Sequence, residues 1–163
     1  TVGIAKAYTT RVGEGPFPTE LASPLQERLR EAGREFGATT GRPRRCGWFD
    51  AVVVRHSIRI NGITELVLTK LDCLRGISPL KLCVAYRYGR ATLTDFPASR
   101  TAQQNVQPVY IETPGFTETI RGIRRYRDLP ASVKRYIALI EEHCGARITV
   151  ISLGRDRNET IYK

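Results

Sequence analysis

The stretch "LVLTKLD", residues 66–72, runs from apolar side chains directly into a lysine and an aspartate. A short apolar run of this kind predicts a buried strand over Leu66–Thr69. Ligands of α/β sheets bind just beyond the carboxyl ends of the strands, so Lys70 and Asp72 are candidates for a binding site. The stretch therefore predicts a sheet and also the edge of that sheet at which a ligand would bind.

Further strands are predicted on both sides of this stretch. Their apolar runs are bounded by glycine, proline or polar residues, as is typical of strands. They lie in "VGIAKAY" (2–8), "LKLCVAYRYGR" (80–90), "PVYIETPGF" (108–116) and "RITVIS" (147–152). Residues 91–107 carry no clear pattern and are predicted to form a loop or weak edge structure.

Helices are predicted between the strands. "SPLQERLREAG" (23–33) has Ser23 as a candidate N-cap and Gly33 as a stop, and "DLPASVKRYIALIEEHCG" (128–145) has an apolar face. "WFDAVVVRHSIRING" (48–62) fits a helix with Ile60 inward, with a strand as the alternative. Strands and helices interleave without strict βαβ alternation, so the predicted class is α+β, with mixed strands and two or three helices.

Composition limits the classes of partner. The 163 residues include 26 Lys and Arg against 16 Asp and Glu, a net charge of +10 that favours an anionic partner. Nucleic acid, a membrane surface and phosphorylated small molecules all fit this charge. The longest apolar runs are only a few residues, so no membrane-spanning segment is expected. The four cysteines form no C-x-x-C pair, so reduced, buried thiols are expected and a metal site is not.

Two strand ends together predict a site that recognises guanine. A carboxylate such as that of Asp72 accepts two parallel hydrogen bonds from the ring N–H and the amino group of guanine, and adenine lacks this pair of donors. Lys70 would lay its aliphatic stem along the base. The strand "ITVIS" delivers Ser152 and Gly154, whose N–H groups suit the purine carbonyl oxygen. The alternative is that Asp72 pairs with a surface arginine and that Ser152 only ends a strand.

The stretch "EFGATTGRPRRCGW", residues 35–48, carries three arginines on a segment too rich in glycine for a helix. Guanidinium groups form planar, forked contacts with carboxylates and phosphates. A flexible loop of this composition is therefore predicted to close around an anionic ligand.

Long segments of the chain resemble the C-terminal portion of adenylosuccinate synthetases. The resemblance covers nearly the whole chain in collinear order. The segments are "AKAYTTRVGEGPFPTE", "EFGATTGRPRRCGWFD", "LTKLD", "KLCVAYR", "YIETPGF", "LPASVKRYIALIEE" and "ISLGRDRNET". The resemblance implies the C-terminal part of an α/β P-loop-like synthetase.

The same resemblance implies a ligase of AMP biosynthesis that converts IMP, L-aspartate and GTP to adenylosuccinate, GDP and phosphate through a 6-phosphoryl-IMP intermediate. It further implies Mg²⁺ as cofactor, a cytoplasmic location and a homodimer, with neither nucleic acid nor membrane as a partner.

The resemblance also assigns roles to individual residues. The residues implied to bind aspartate and IMP are Val12, Thr39, Thr40, Gly41, Arg42 and Arg44. The residues implied to bind GTP are Arg44, Lys70, Asp72, Ser152 and Gly154. The chain departs from the family at Arg155, where proline is common, and at Pro43, where a basic residue is common.

No catalytic residue is expected in this chain. The glycine-rich phosphate loop, the catalytic aspartate and the catalytic histidine of the family belong to its N-terminal part, and no equivalent occurs here. Residues 1–163 are thus expected to form the substrate- and guanine-binding domain, inactive alone, with the magnesium ligands elsewhere.

Two other functions fit some of the features. The charge and "RGIRRYR" (121–127) fit a basic nucleic-acid-binding domain, although the aromatic residues, 8% of the chain, do not interleave with the basic ones. A stand-alone guanine-nucleotide sensor would use Asp72 but needs a phosphate cradle, which the sequence does not contain.

Overall fold

Ten strands and four α-helices form in the computed structural model, which describes all residues, 1–163. The strands are β1 (Val2–Lys6), β2 (Thr9–Arg11), β3 (Arg45–Gly47), β4 (Phe49–Asp50), β5 (Glu65–Thr69), β6 (Leu80–Tyr88), β7 (Ala91–Leu93), β8 (Gln107–Thr113), β9 (Arg147–Ser152) and β10 (Thr160–Tyr162). The helices are α1 (Leu25–Gly33), α2 (Ala51–Asn61), α3 (Arg100–Asn105) and α4 (Ala131–Cys144). The predicted mixture of strands and helices is confirmed, and α3 adds a short helix within residues 91–107.

The first sheet has the order β1-β5-β9-β10, in which β1, β5 and β9 run parallel and β10 is antiparallel to β9. Alternating residues of β5 are buried, including Leu66 and Leu68. Because β5 and β9 are parallel neighbours, the residues after Thr69 and after Ser152 emerge at the same edge. This arrangement brings the two predicted strand ends side by side.

The second sheet is built around β6, which pairs with β4 in parallel and with β7 and β8 in antiparallel directions. Helices α2 and α4 pack against each other and against β6. Apolar residues of α4 at helical spacing, Val133, Ile137 and Ile140, are fully buried, as predicted. These two helices therefore anchor one sheet to the other.

Helix α2 confirms the helical alternative for residues 48–62. The side chain of Asp50 accepts hydrogen bonds from the N–H groups of Val52 and Val53 and so caps the helix. Asp50 is itself buried, which raises the pKa of its carboxyl, and it accepts a 2.5 Å hydrogen bond from the hydroxyl of Tyr86. The prediction that Ile60 points inward was wrong, since that side chain is 67% exposed near the end of the helix.

Helix α1 begins at Leu25, and its N-cap lies one residue after the predicted cap, Ser23. Pro24 is the N-cap and no side chain caps the helix; the hydroxyl of Ser23 donates to Glu27 instead. The helix ends at Gly33, as predicted, but the left-handed residue that follows is Arg34, with φ of 49°. A side chain at Gly33 would collide with the hydroxyl of Tyr8, so glycine is required there for close approach.

The four cysteines are free and buried, as the sequence predicted. Burial raises the pKa of Cys46 and of Cys73 to about 11, so both thiols are protonated at neutral pH. None of the four helices has the length and apolar character needed to cross a bilayer.

Candidate functional site

A cavity of about 220 Å³ lies at the edge of the first sheet where β5 and β9 end. All four residues predicted to recognise guanine line this cavity, together with Arg155 and Arg121. The structure therefore brings together residues that lie about eighty positions apart in the sequence. The lining residues from the two strand ends are Lys70, Asp72, Ser152 and Gly154.

Lys70 has a left-handed backbone conformation, with φ of 63° at the start of the 3₁₀ turn Leu71–Leu74. For a residue with a side chain this conformation costs about 1–2 kcal/mol, and such strain gathers at functional sites. The ammonium group of Lys70 donates a 2.7 Å hydrogen bond to the carbonyl oxygen of Gly33, at the carboxyl end of α1. The head of this side chain is thus anchored, and its aliphatic stem borders the cavity.

Gly154 contributes a free donor to the cavity. Its N–H makes no hydrogen bond within the chain, whereas the N–H of Leu153 is bonded to the carbonyl of Glu159. The hydroxyl of Ser152 donates to the carbonyl of Gly154 at 2.9 Å and holds the turn in shape. A side chain at position 154 would collide with the carboxylate of Glu159, which accepts a hydrogen bond from the N–H of Asp156. Any larger residue at position 154 would therefore displace the carboxylate of Glu159 from this turn.

Asp72 faces the cavity and also forms an ion pair. Its side chain is 10% exposed, and Arg121 donates to one of its oxygens at 2.6 Å. The pairing with a surface arginine, which the sequence left as the alternative, is thus present. The pairing occurs at the cavity wall, and the recognition of guanine by Asp72 stays a prediction.

The arginine loop, residues 36–43, is a hairpin. The N–H of Arg44 donates to the carbonyl of Glu35 at 2.9 Å, and that of Gly37 donates to the carbonyl of Arg42 at 2.8 Å. Pro43 lies opposite Phe36 at the position between these two bonds, where no N–H is needed. The hairpin therefore accommodates Pro43 without loss of a backbone hydrogen bond.

The predicted aspartate-binding residues form the exposed tip of this hairpin. The guanidinium group of Arg42 has no ion-pair or hydrogen-bond partner within the chain. Gly41 has φ of 64°, which favours glycine at this turn. The residues of the tip are Thr39, Thr40, Gly41 and Arg42. The hydroxyls of Thr39 and Thr40 and the guanidinium group of Arg42 remain available as donors to an anionic ligand, whereas the N–H of Gly41 donates to the carbonyl of Gly37 at 2.9 Å.

Glu35, which the sequence analysis missed, holds the base of the hairpin. It is 1% exposed, and its carboxylate accepts hydrogen bonds from Lys6 at 2.8 Å, Tyr8 at 2.8 Å and Arg44 at 3.0 Å. Burial raises the pKa of this carboxyl, but the hydrogen bonds from Lys6 and Tyr8 outweigh burial, so the net shift lowers it. The only signal in the sequence is an acid beside a loop of three arginines, which a solvated ion pair would match equally well.

The three arginines of the segment have different roles. Arg44 is held by Glu35 and remains 32% exposed. Arg45 donates to the carboxylate of Glu20 and to the carbonyl oxygens of Gly13 and Gly15, so it supports the neighbouring loop. Only Arg42 is unpaired, and the sequence does not distinguish the three.

Val12 lies next to the hairpin. Strands β2 and β3 are antiparallel, and their last pair is Arg11 with Arg45. If this register is continued by one residue, Val12 lies opposite Arg44. The side chain of Val12 is 68% exposed.

The cavity residues and the hairpin residues meet at the end of α1. There the carbonyl of Gly33 accepts a hydrogen bond from Lys70, and the carboxylate of Glu35 accepts one from Arg44. A single short segment therefore couples the cavity to the hairpin.

Comparisons with known proteins agree on one family. The sequence profile of adenylosuccinate synthetase matches residues 1–161. The chain is 56% identical over 160 residues to the adenylosuccinate synthetase of Endomicrobium trichonymphae, covering 98% of this chain and 37% of the relative. It is 53% identical over 159 residues to that of Geobacillus kaustophilus, again covering 98% and 37%. This chain thus spans little more than a third of these relatives.

A solved structure has the same fold as this chain. A fully ligated adenylosuccinate synthetase from Plasmodium falciparum matches with a TM-score of 0.95 and 38% identity, over 99% of this chain and 39% of that chain. The alternative of a nucleic-acid-binding domain has no support from the relatives, which carry the name of one enzyme.

Proposed function

Because the chain belongs to the adenylosuccinate synthetase family, we propose that it forms the substrate- and guanine-binding part of an enzyme of AMP biosynthesis. That enzyme joins IMP and L-aspartate at the expense of GTP and releases adenylosuccinate, GDP and phosphate. The main support is the cavity at the two parallel strand ends, which gathers every residue predicted to recognise guanine.

The roles within the cavity follow from its donors and acceptors. The carboxylate of Asp72 accepts from the ring N–H and the amino group of guanine, and the free N–H of Gly154 donates to the purine carbonyl oxygen. The stem of Lys70, anchored through its ammonium group, lies against the face of the base. Arg155, where the family commonly has proline, supplies a flat group for stacking.

The hairpin tip carries the proposed aspartate site. The hydroxyls of Thr39 and Thr40 and the guanidinium group of Arg42 bind the aspartate carboxylates. Arg44 and the backbone of Val12 lie at the hairpin base, where they contact the nucleotide ribose. Closure of such a loop orients the reactants and excludes water from the phosphorylated intermediate.

Replacement of Arg42 by leucine tests the aspartate site. Loss of a charge-assisted, forked contact is expected to raise the KM for aspartate by about 10- to 100-fold, with the KM for GTP nearly unchanged. Steady-state kinetics of the intact enzyme measure both values. Arg90→Leu is the matched control, because Arg90 is also an exposed, unpaired arginine beside a left-handed glycine at a hairpin turn. An unchanged KM for aspartate in Arg42→Leu would remove the hairpin from the aspartate site.

The phosphate loop and the catalytic residues are proposed to belong to the other part of the enzyme. Strand β1 is an edge strand, paired only with β5, and its apolar side chains Val2 and Ile4 are 58% and 77% exposed. An apolar groove of about 270 Å³ lies between this edge and α2. An exposed edge strand with apolar side chains tends to associate with other chains unless it is covered. We propose that the rest of the enzyme packs against this edge.

The chain of residues 1–163 alone is therefore expected to make no adenylosuccinate, whereas the intact enzyme does. Without a phosphate cradle, it should bind GTP and guanosine with equal, weak affinity, as isothermal titration would measure. Formation of product by the isolated chain would contradict the proposal that the catalytic residues belong to the other part of the enzyme. A strong preference for GTP over guanosine would favour a stand-alone guanine-nucleotide sensor.

Further features of the enzyme rest on the family alone. No group of three or more His, Cys, Asp or Glu side chains is placed to hold a metal ion in this chain. We propose that Mg²⁺ is bound by residues outside it, where it would neutralise the transferred phosphoryl group. We further propose a cytoplasmic homodimer.

A further inference from the structure

The carboxylate of Asp72 is held by a side chain from a distant part of the sequence. Arg121 donates to it from Nε at 3.0 Å and from Nη2 at 2.6 Å, and both bonds end on the same oxygen, Oδ2. Because a carboxylate oxygen offers about two acceptor sites, Arg121 fills the capacity of Oδ2. Oδ1 receives only the thiol of Cys73, a weak donor, at 3.8 Å. One oxygen of Asp72 is therefore occupied and the other is nearly free.

The turn that carries Arg121 is fixed beside Asp72. The N–H of Gly76 donates to the carbonyl of Phe116 at 2.7 Å, and Nε of Arg75 donates to the carbonyl of Thr117, also at 2.7 Å. Ile120, next to Arg121, is 1% exposed and anchors the turn in the core. The backbone therefore keeps Arg121 within reach of the cavity.

The side chain of Arg121, in contrast, is free to move. It is 53% exposed and has no partner other than Asp72. Water screens this exposed end of the ion pair, so release of the guanidinium group costs little free energy, although Asp72 itself is only 10% exposed. The guanidinium group can leave Asp72 without any change in the backbone.

We infer that Arg121 lowers the preference of the site for guanine, because it occupies Asp72 in the absence of nucleotide and competes with guanine for it. This inference rests on the proposed guanine site. Guanine presents two parallel donors and needs both oxygens of Asp72, so Arg121 must release Oδ2 before guanine is fully recognised. Hypoxanthine presents only the ring N–H, which Oδ1 can accept while Arg121 stays in place. Arg121 thus weakens GTP binding more than ITP binding and reduces the preference for guanine.

Kinetics of the intact enzyme with GTP and with ITP test this role. In Arg121→Ala the KM for GTP is expected to fall about two- to fivefold, the range for release of an exposed ion pair, while the KM for ITP changes less. The KM for ITP divided by the KM for GTP therefore rises. Arg121→Lys, which keeps the charge but loses the fork, should lie between the wild type and Arg121→Ala.

Arg124→Ala is the matched control, because Arg124 is exposed on the same turn and has no ion pair. Loss of positive charge alone should raise the KM for GTP and ITP equally in this variant. If Arg121→Ala behaves in the same way, with both KM values raised together, Arg121 is only a surface charge and the inference is wrong.

Asp72→Asn separates this inference from the proposed guanine site. If the site is correct, Asp72→Asn changes the preference between GTP and ITP, and adding Arg121→Ala to it has a smaller effect than in the wild type. If Asp72→Asn changes nothing, the guanine site itself is wrong. If Asp72→Asn changes the preference but Arg121→Ala does not, the site stands and only the role of Arg121 is overturned.

Discussion

Replacement of Asp72 by asparagine is expected to turn the enzyme from GTP towards XTP. Asparagine offers one acceptor and one donor where aspartate offers two acceptors, so the amino group of guanine meets another donor. Xanthine carries a carbonyl at that position and matches asparagine. We expect the KM for GTP to rise about a hundredfold, since a polar group would be left unpaired in a largely buried site. Turnover at saturating XTP should approach that of the wild type with GTP.

The control for this change is Asp95→Asn. Asp95 is also paired with an arginine, Arg59 at 2.8 Å, but it is 65% exposed and does not line the cavity. This variant should keep the wild-type preference for GTP. Steady-state kinetics with GTP, ITP and XTP measure the outcome. An Asp72→Asn enzyme that still prefers GTP over XTP would show that Asp72 does not contact the base.

Replacement of Glu35 by alanine is expected to destabilise the protein by about 3 kcal/mol. Glu35 is buried, and its removal leaves Lys6, Tyr8 and Arg44 without their acceptor. Breaking a buried ion pair by deleting one partner is strongly destabilising, because the remaining charge is uncompensated. Urea unfolding measures the change in the free energy of unfolding. The KM for aspartate should also rise, because the hairpin loses its support.

Glu31→Ala is the control for Glu35→Ala. Glu31 lies on the exposed side of α1, and its carboxylate makes no ion pair or hydrogen bond within the chain. Its loss should change the free energy of unfolding by no more than about 0.5 kcal/mol. Equal effects of the two substitutions would show that the Glu35 cluster does not stabilise the fold.

The same carboxylate predicts a dependence of stability on pH. The folded state lowers the pKa of Glu35 below its ordinary value of 4.5, so the unfolded chain takes up the proton first as the pH falls. The contribution of Glu35 is therefore complete above this value and is lost as the pH falls through the lowered pKa. The difference in unfolding free energy between the wild type and Glu35→Gln should be constant near neutral pH and shrink in acid. A difference that grows in acid would contradict this sign.

Local patterns in the sequence were sufficient for most of the elements. The strands around Leu66–Thr69 and "RITVIS" follow from their apolar runs, and α4 follows from the spacing of its apolar residues and from Gly145 after its end. The predictions of local structure were wrong where tertiary contacts override the local preference of the sequence. Ser23 is a good cap by type, but its hydroxyl bonds to Glu27, and α3 is a short helix in a stretch without apolar periodicity.

Four residues of the cavity could be predicted from their chemical type and from their position directly after a predicted strand. Lys70 and Asp72 follow one strand and Ser152 and Gly154 follow another, and the order of side chains along a strand end is a property of the sequence. The sequence alone thus determined the five longest strands, the buried thiols and the candidates for guanine recognition, because these depend on neighbours in the chain; the five strands of two or three residues were not predicted.

Only the tertiary structure decided which candidates meet and which charges are paired. The parallel pairing of β5 with β9 places the two strand ends at one cavity, and packing at the end of α1 buries Glu35 beneath the hairpin. Arg121 reaches Asp72 across 49 positions in the sequence, whereas Arg42 remains unpaired. Charge pairing between distant segments depends on distance and burial, and neither quantity is present in the order of residues.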